Sequence, residues 1–273
     1  MTPWSDRLEL GEGARWVDGR LILVDILTGR LLSADSATLR TIAQLDVPLG
    51  AVAPVDGSPG TWMAAAGTGV CILTDAGKPD WLATVADGTA VRVNDGAADA
   101  DGRFWFGTMA YDGAEDAGSL YRVDHDGTVT RVLERITIPN GPAFTEDGAT
   151  MYLADTARGL VRRYRVAYGN LSEPELFAEL DGPDGMTVDR EGGVWIACWG
   201  SGTVRRYRAD GTLDRVVEIA ATQPSSVCLG GGLLHITTAA YGLNPPGPQD
   251  GAVFTVPVDV SGFAAHGYRG PKR

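Results

Sequence analysis

A unit of 41 to 46 residues recurs along this chain. Its anchors are Glu12, Ala53, Asn94, Asn140, Asp184 and Ser225, and three of them stand in short motifs, Asn94-Asp95-Gly96, Pro139-Asn140-Gly141 and Pro183-Asp184-Gly185. Four short strands with their turns consume about 40 to 50 residues, so this period is that of a propeller blade. Six anchors predict an all-β fold, a six-bladed β-propeller with four-stranded antiparallel blades, formed by residues 1–273 as a single domain.

The interior of each unit agrees with that reading. Asp99-Ala100-Asp101-Gly102-Arg103-Phe104-Trp105-Phe106, Glu146-Asp147-Gly148-Ala149-Thr150-Met151-Tyr152-Leu153 and Asp189-Arg190-Glu191-Gly192-Gly193-Val194-Trp195-Ile196 each pass from a Gly-containing turn into a strand that carries an aromatic. Asp-Gly and Gly-Gly supply the positive φ of tight hairpins. The strands that follow, Ser119 to Val123, Leu160 to Tyr164 and Thr203 to Tyr207, alternate apolar and polar residues as half-buried strands do. No amphipathic helix stands out, and at most a single turn inside a loop is expected. The unit around Pro54 to Pro79 fits the template least. In the sixth, the Pro245-Pro246-Gly247-Pro248 run cannot pair in a sheet and predicts a surface loop. The stretch from Arg7 to Leu10 is expected to complete the last blade and close the ring.

Composition bounds the partners. Twenty-three basic against 35 acidic residues give a formal charge of −12, which repels a polyphosphate backbone, so no nucleic-acid partner is expected. No run approaches the roughly 20 apolar residues of a membrane span, and the start has no basic segment leading into an apolar one. The expectation is a soluble cytoplasmic protein without a membrane partner. Cys71, Cys198 and Cys228 form no C-x-x-C pair and read as small buried apolar residues.

The anchors carry the chemistry. In a propeller the innermost strands line a central channel, and their first residues point toward one mouth. Glu12, Asn140, Asp184 and Asn94 would bring two carboxylates and one or two amide oxygens to that mouth. This hard, oxygen-only set suits one divalent metal ion, Ca²⁺, Mg²⁺ or Mn²⁺ before Zn²⁺, with coordination positions left open. Asn-Gly and Asp-Gly are also ordinary turn signals, but these stand in a common phase at strand starts rather than at the hairpins. Arg92, two residues before Asn94, shares its face and is expected either to bind a substrate oxygen or to pair with Asp95. Trp105, Trp195 and Trp199 read as blade packing. His125, His235 and His266 form no cluster, and neither a nucleophile elbow nor a phosphate loop is present.

Leu10-Gly11-Glu12-Gly13, Val24-Asp25-Ile26, Arg92-Val93-Asn94-Asp95-Gly96, Gly107-Thr108-Met109, Pro139-Asn140-Gly141, Pro183-Asp184-Gly185-Met186 and Trp195-Ile196-Ala197 in this order resemble the family of senescence marker protein (regucalcin) and the bacterial gluconolactonases. The resemblance spans most of the chain. It implies a six-bladed propeller that opens a sugar lactone to its aldonic acid with a divalent metal in the channel. It also implies roles: Glu12, Asn140 and Asp184 as metal ligands, Asp184 as acid and base, and Arg92, Asn94 and Asp112 as contacts to a small-molecule sugar lactone. Ala14 and Arg15 depart from the commoner Pro and apolar residue after Glu-Gly. Two other readings stand beside the lactonase: a related hydrolase of another ester or phosphotriester, and a non-catalytic propeller that binds calcium or a metabolite.

Overall fold

The computed structural model describes residues 2–74, 78–85 and 90–270. Six antiparallel sheets form the blades of a six-bladed β-propeller. Their innermost strands are Gly11–Val17, Leu49–Pro54, Val91–Ala98, Pro139–Phe144, Pro183–Val188 and Pro224–Gly230. The fourth blade carries a two-residue extra strand, Asn170–Leu171, on its third strand. The expected absence of amphipathic helices holds among the described residues, where the one helical element is a 3₁₀ turn at Thr156–Arg158. No helix among them is long and apolar enough to cross a membrane. Residues 75–77, part of the poorly matching second unit, lie outside the described residues.

Aromatic side chains pack the blades as their spacing predicts. Trp105 and Trp195 are fully buried, and their indole N–H groups donate to Asp99 Oδ2 at 2.8 Å and Asp189 Oδ2 at 2.9 Å. The second oxygen of each aspartate accepts a backbone N–H of the hairpin, from Arg103 and Gly193. One carboxylate thus satisfies both the turn and a buried donor that would otherwise cost about 1–3 kcal/mol. Trp199 is half-buried and packs against the core between blades one and two. All three cysteines are buried and free.

Ring closure differs from expectation. The fourth strand of blade six is Thr2–Pro3, paired with Phe254–Pro257, whereas Arg7 to Leu10 forms the crossing into blade one. An outer strand of one blade and the inner strand of the next are separated by about three strand spacings of 4.8 Å, which takes several residues to cross. Arg7 to Leu10 runs straight into Gly11 and cannot do both. Its backbone is held instead by Asp25 Oδ1, which accepts from Leu10 N at 2.9 Å, and by a Leu10–Ala239 bridge.

At the opposite end of the channel, residues 258–270 cross under the ring. Ser261 O accepts from Arg190 N of blade five, Ala265 N donates to Trp16 O of blade one, Tyr268 N donates to Pro54 O of blade two, and Arg269 N donates to Gly102 O of blade three. Tyr268 is 1% exposed. These hydrogen bonds tie the segment to four of the six blades.

Candidate functional site

Every innermost strand breaks register at its anchor. The shifts fall between Glu12 and Arg15, Leu49 and Ala51, Val93 and Gly96, Asn140 and Ala143, Pro183 and Met186, and Pro224 and Ser226. A bulge inserts an unpaired residue and turns its side chain out of the regular alternation. This repeated irregularity brings Glu12, Asn94, Asn140 and Asp184 together at the channel, whereas the hydroxyl of Ser225 is taken up by Gly11 O and Thr237 Oγ1. It also corrects one anchor: the equivalent residue of blade two is Gly50, not Ala53. Gly50 lies against the backbone carbonyl of Asn94, so no side chain fits there.

The site residues are deeply buried, with Glu12, Asn94, Asn140, Asp184 and Asp95 at 5% exposure or less and Arg92 at 8%. Hydrogen bonds fix both amides. The carbonyl of Pro183 accepts from Thr156 Oγ1 at 2.6 Å, so that hydroxyl must accept from the Asn140 amide nitrogen, 2.7 Å away. Asn140 Oδ1 therefore faces the channel, where Asn94 Nδ2 donates to it at 2.8 Å. Asn94 is oriented from its other side by Arg92, a pure donor, whose guanidinium reaches Asn94 Oδ1 at 2.7 Å. The relay Arg92–Asn94–Asn140–Thr156–Pro183 thus crosses three blades and ends next to Asp184. Asn94 links its neighbours in this relay, and a second lone pair of Asn140 Oδ1 stays available to a ligand.

Glu12 and Asp184 meet as a carboxyl pair. Burial, then the charges of Asp184 and Asp95, raise Glu12 well above the usual carboxylate range. Asp184 is raised by burial and then by Asp95, against the opposing Gly185 N–H, Arg92 and Glu12. Burial lowers Arg92, with Tyr111, Glu12, Tyr241 and Asp184 acting the other way. Asp184 Oδ1 is buried without a hydrogen-bond partner. A buried carboxylate oxygen left unsatisfied beside a second carboxylate and an amide oxygen is the chemistry of a hard-cation ligand set. Among the described residues no group of three or more His, Cys, Asp or Glu side chains could hold a metal. A cation at this mouth would accordingly use the mixed set of two carboxylates and the Asn140 amide.

One expectation is revised by a contact across the axis. Asp95 pairs with Arg15 at 3.2 Å rather than with Arg92, and its Oδ2 accepts from Gly141 N, bracing the bulge beside Asn140. Asp112 stands on an exposed turn, where its Oδ1 accepts from Ala114 N at 3.0 Å. Arg158 ties the same loop to blade four through Asp116 Oδ1 at 2.6 Å and Glu115 at 3.2 Å. Sequence reasoning missed Thr156; its signal was the polar residue directly after the strand Thr150–Asp155. Tyr111 and Tyr241, half-exposed at 50% and 49%, rise from the loops of blades three and six at this mouth.

An all-β six-bladed propeller with a buried carboxylate and amide site at one mouth of its channel is the class of protein that this fold and site define. Residues 10–240 match the family described as SMP-30/gluconolactonase/LRE-like region, and the chain belongs to that family. A pentonolactonase of Haloferax volcanii is 36% identical over 93% of this chain and 92% of its own length. An L-arabinolactonase of Azospirillum brasilense is 34% identical over 98% and 94%. The crystal structure of a regucalcin from Agrobacterium tumefaciens, described as a calcium-binding protein, is 29% identical with a TM-score of 0.89, covering 97% of this chain and 95% of that one.

Proposed function

We propose that this protein hydrolyses a sugar lactone, of a pentose or hexose, to the open aldonic acid, with one divalent cation held by Glu12, Asn140 and Asp184. The observation that carries the reading is the unsatisfied Asp184 Oδ1 beside Glu12, in a chain whose relatives are named pentonolactonase and L-arabinolactonase. The oxygen-only donor set favours calcium, magnesium or manganese. When bound, such a cation supplies Lewis acidity to the lactone carbonyl and stabilises negative charge that develops there.

The chain's own residues supply the rest. Asp184, buried at the mouth of the channel with Oδ1 free of any other partner, is the group placed to move the proton. It takes a proton from the attacking water as the new C–O bond forms. As the ring C–O bond breaks, it returns that proton to the leaving ring oxygen, so the products are a carboxylate and a free hydroxyl after one proton is released to solvent. Arg92, held by Asn94, presents its remaining N–H donors to the sugar hydroxyls. Asp112 and the two tyrosines lie at the rim that an entering lactone would cross. The test is acid release from a lactone panel by metal-stripped protein refilled with single divalent ions. Wild type turns over at least one lactone and Asp184→Ala turns over none while remaining folded; equal turnover by the variant sinks the assignment.

A further inference from the structure

One step deeper than the anchors, three residues along each innermost strand, stand Arg15, Ala53, Ala97, Ala143, Thr187 and Cys228. All six line one cavity in the channel below the site. Five are small and one is the longest basic side chain available. Small residues at five equivalent positions leave a shaft open along the axis, and the arginine of blade one lies across it. Its terminal nitrogens donate to Ala14 O of its own strand at 2.8 Å and, on blade three, to Asp95 Oδ1 at 3.2 Å and Gly96 O at 2.7 Å. The side chain is 12% exposed and its partner Asp95 2%.

Asp95 is the third carboxylate of the cluster, within electrostatic reach of both Glu12 and Asp184. Its two oxygens already accept from Gly96 N at 2.7 Å and Gly141 N at 3.1 Å, so its position does not depend on Arg15. What Arg15 provides is charge. We infer that Arg15 is a built-in counter-ion that floors the site and withholds Asp95 from it, leaving Glu12 and Asp184 as the two carboxylates that serve a cation. When all three carboxylates are ionised, as in a cation-loaded site, Arg92 alone leaves two net negative charges among these buried side chains. With Arg15 the cluster carries one, and the shaft is shut from below.

The inference rests on the proposed cation site and makes a prediction opposite to that of a merely structural arginine. In Arg15→Met a positive charge is lost and the charge of Asp95 is left uncompensated, which strengthens cation binding. Damage to packing would weaken it. Calorimetric titration of metal-stripped protein with calcium chloride and manganese chloride should show Arg15→Met binding at least about tenfold more tightly than wild type, a difference equivalent to 1.4 kcal/mol. Adding Asp95→Asn should cancel the gain, and about 10 mM guanidinium chloride, which fits the vacated place as a free ion, should oppose it in Arg15→Met only. Unchanged or weaker binding by folded Arg15→Met overturns the proposal, as does a double variant that binds as tightly as the single one. Unfolding in urea separates this outcome from failure of the cation site. If wild type binds neither ion, the proposed cation fails, but Asp95→Asn must still recover the stability that Arg15→Met loses. If Arg15→Met does not fold, the double variant must, and a double variant no more stable than the single overturns the counter-ion role.

Discussion

Replacing Thr156 by valine keeps the shape of the side chain and removes one hydroxyl. That hydroxyl donates to Pro183 O and accepts from Asn140 Nδ2. Without it, a buried carbonyl loses its donor, and the Asn140 amide nitrogen loses its acceptor, one of the two contacts, with Asn94 Nδ2, that tell its oxygen from its nitrogen. Each orphaned buried group costs about 1–3 kcal/mol, and Thr156 is only half-buried, so water recovers part of it. The expected loss is about 2 kcal/mol, or about 4–8 °C in Tm for a chain of this size. A partner that orients a metal ligand is typically worth about 10–100-fold in affinity, so calcium or manganese binding should weaken by that factor. Thr156→Ser keeps the hydroxyl and should recover most of both effects. Urea unfolding and calorimetric titration read the two quantities separately. Wild-type cation affinity in a destabilised Thr156→Val protein would refute the orientation argument and leave the hydroxyl as a stability contact alone.

Two further outcomes follow from the same geometry. Glu12 and Asp184 are raised in the folded protein, so the metal-free fold binds their protons more tightly than the unfolded chain does. That stabilisation is full below the ordinary carboxylate range near pH 4 and is lost as pH rises through the raised values. Metal-free Tm should therefore fall toward neutral pH, Glu12→Gln should flatten the slope, and saturating calcium should reverse it; a slope unchanged by Glu12→Gln contradicts the pairing. At the other end of the channel, truncation after Val258 removes buried Val260 and Tyr268 with their backbone ties. Burial of two such side chains is worth about 3–6 kcal/mol, so urea denaturation should show at least that loss, and an unchanged midpoint would show that the ring needs no tie.

The blade count was legible because the strand, hairpin and aromatic pattern repeats locally within each unit. Asp99 with Trp105 and Asp189 with Trp195 are contacts six residues apart, set by the same turn chemistry in each blade. Glu12, Asn140 and Asp184 were legible for a related reason: each directly precedes a glycine near the start of a strand, and Asn94 stands two residues before Gly96 in the same phase. Ala53 was misread as an anchor because blade two has Gly50 there, which offers no polar side chain to recognise. The partner of Asp95 was not legible at all. Arg92 lies three residues away and Arg15 lies 80 away, yet the distant one makes the pair.

The amino-acid sequence by itself determined the period, the antiparallel blades and the oxygen donors available to the channel, since these follow from local strand and turn preferences. Only the tertiary structure decided which donors converge, which arginine neutralises which carboxylate, and that Thr2–Pro3 closes the last blade. The reason is closure of the ring: register shifts rotate each anchor toward an axis that no single blade contains, and contacts across that axis join residues whose separation in the chain carries no local signal.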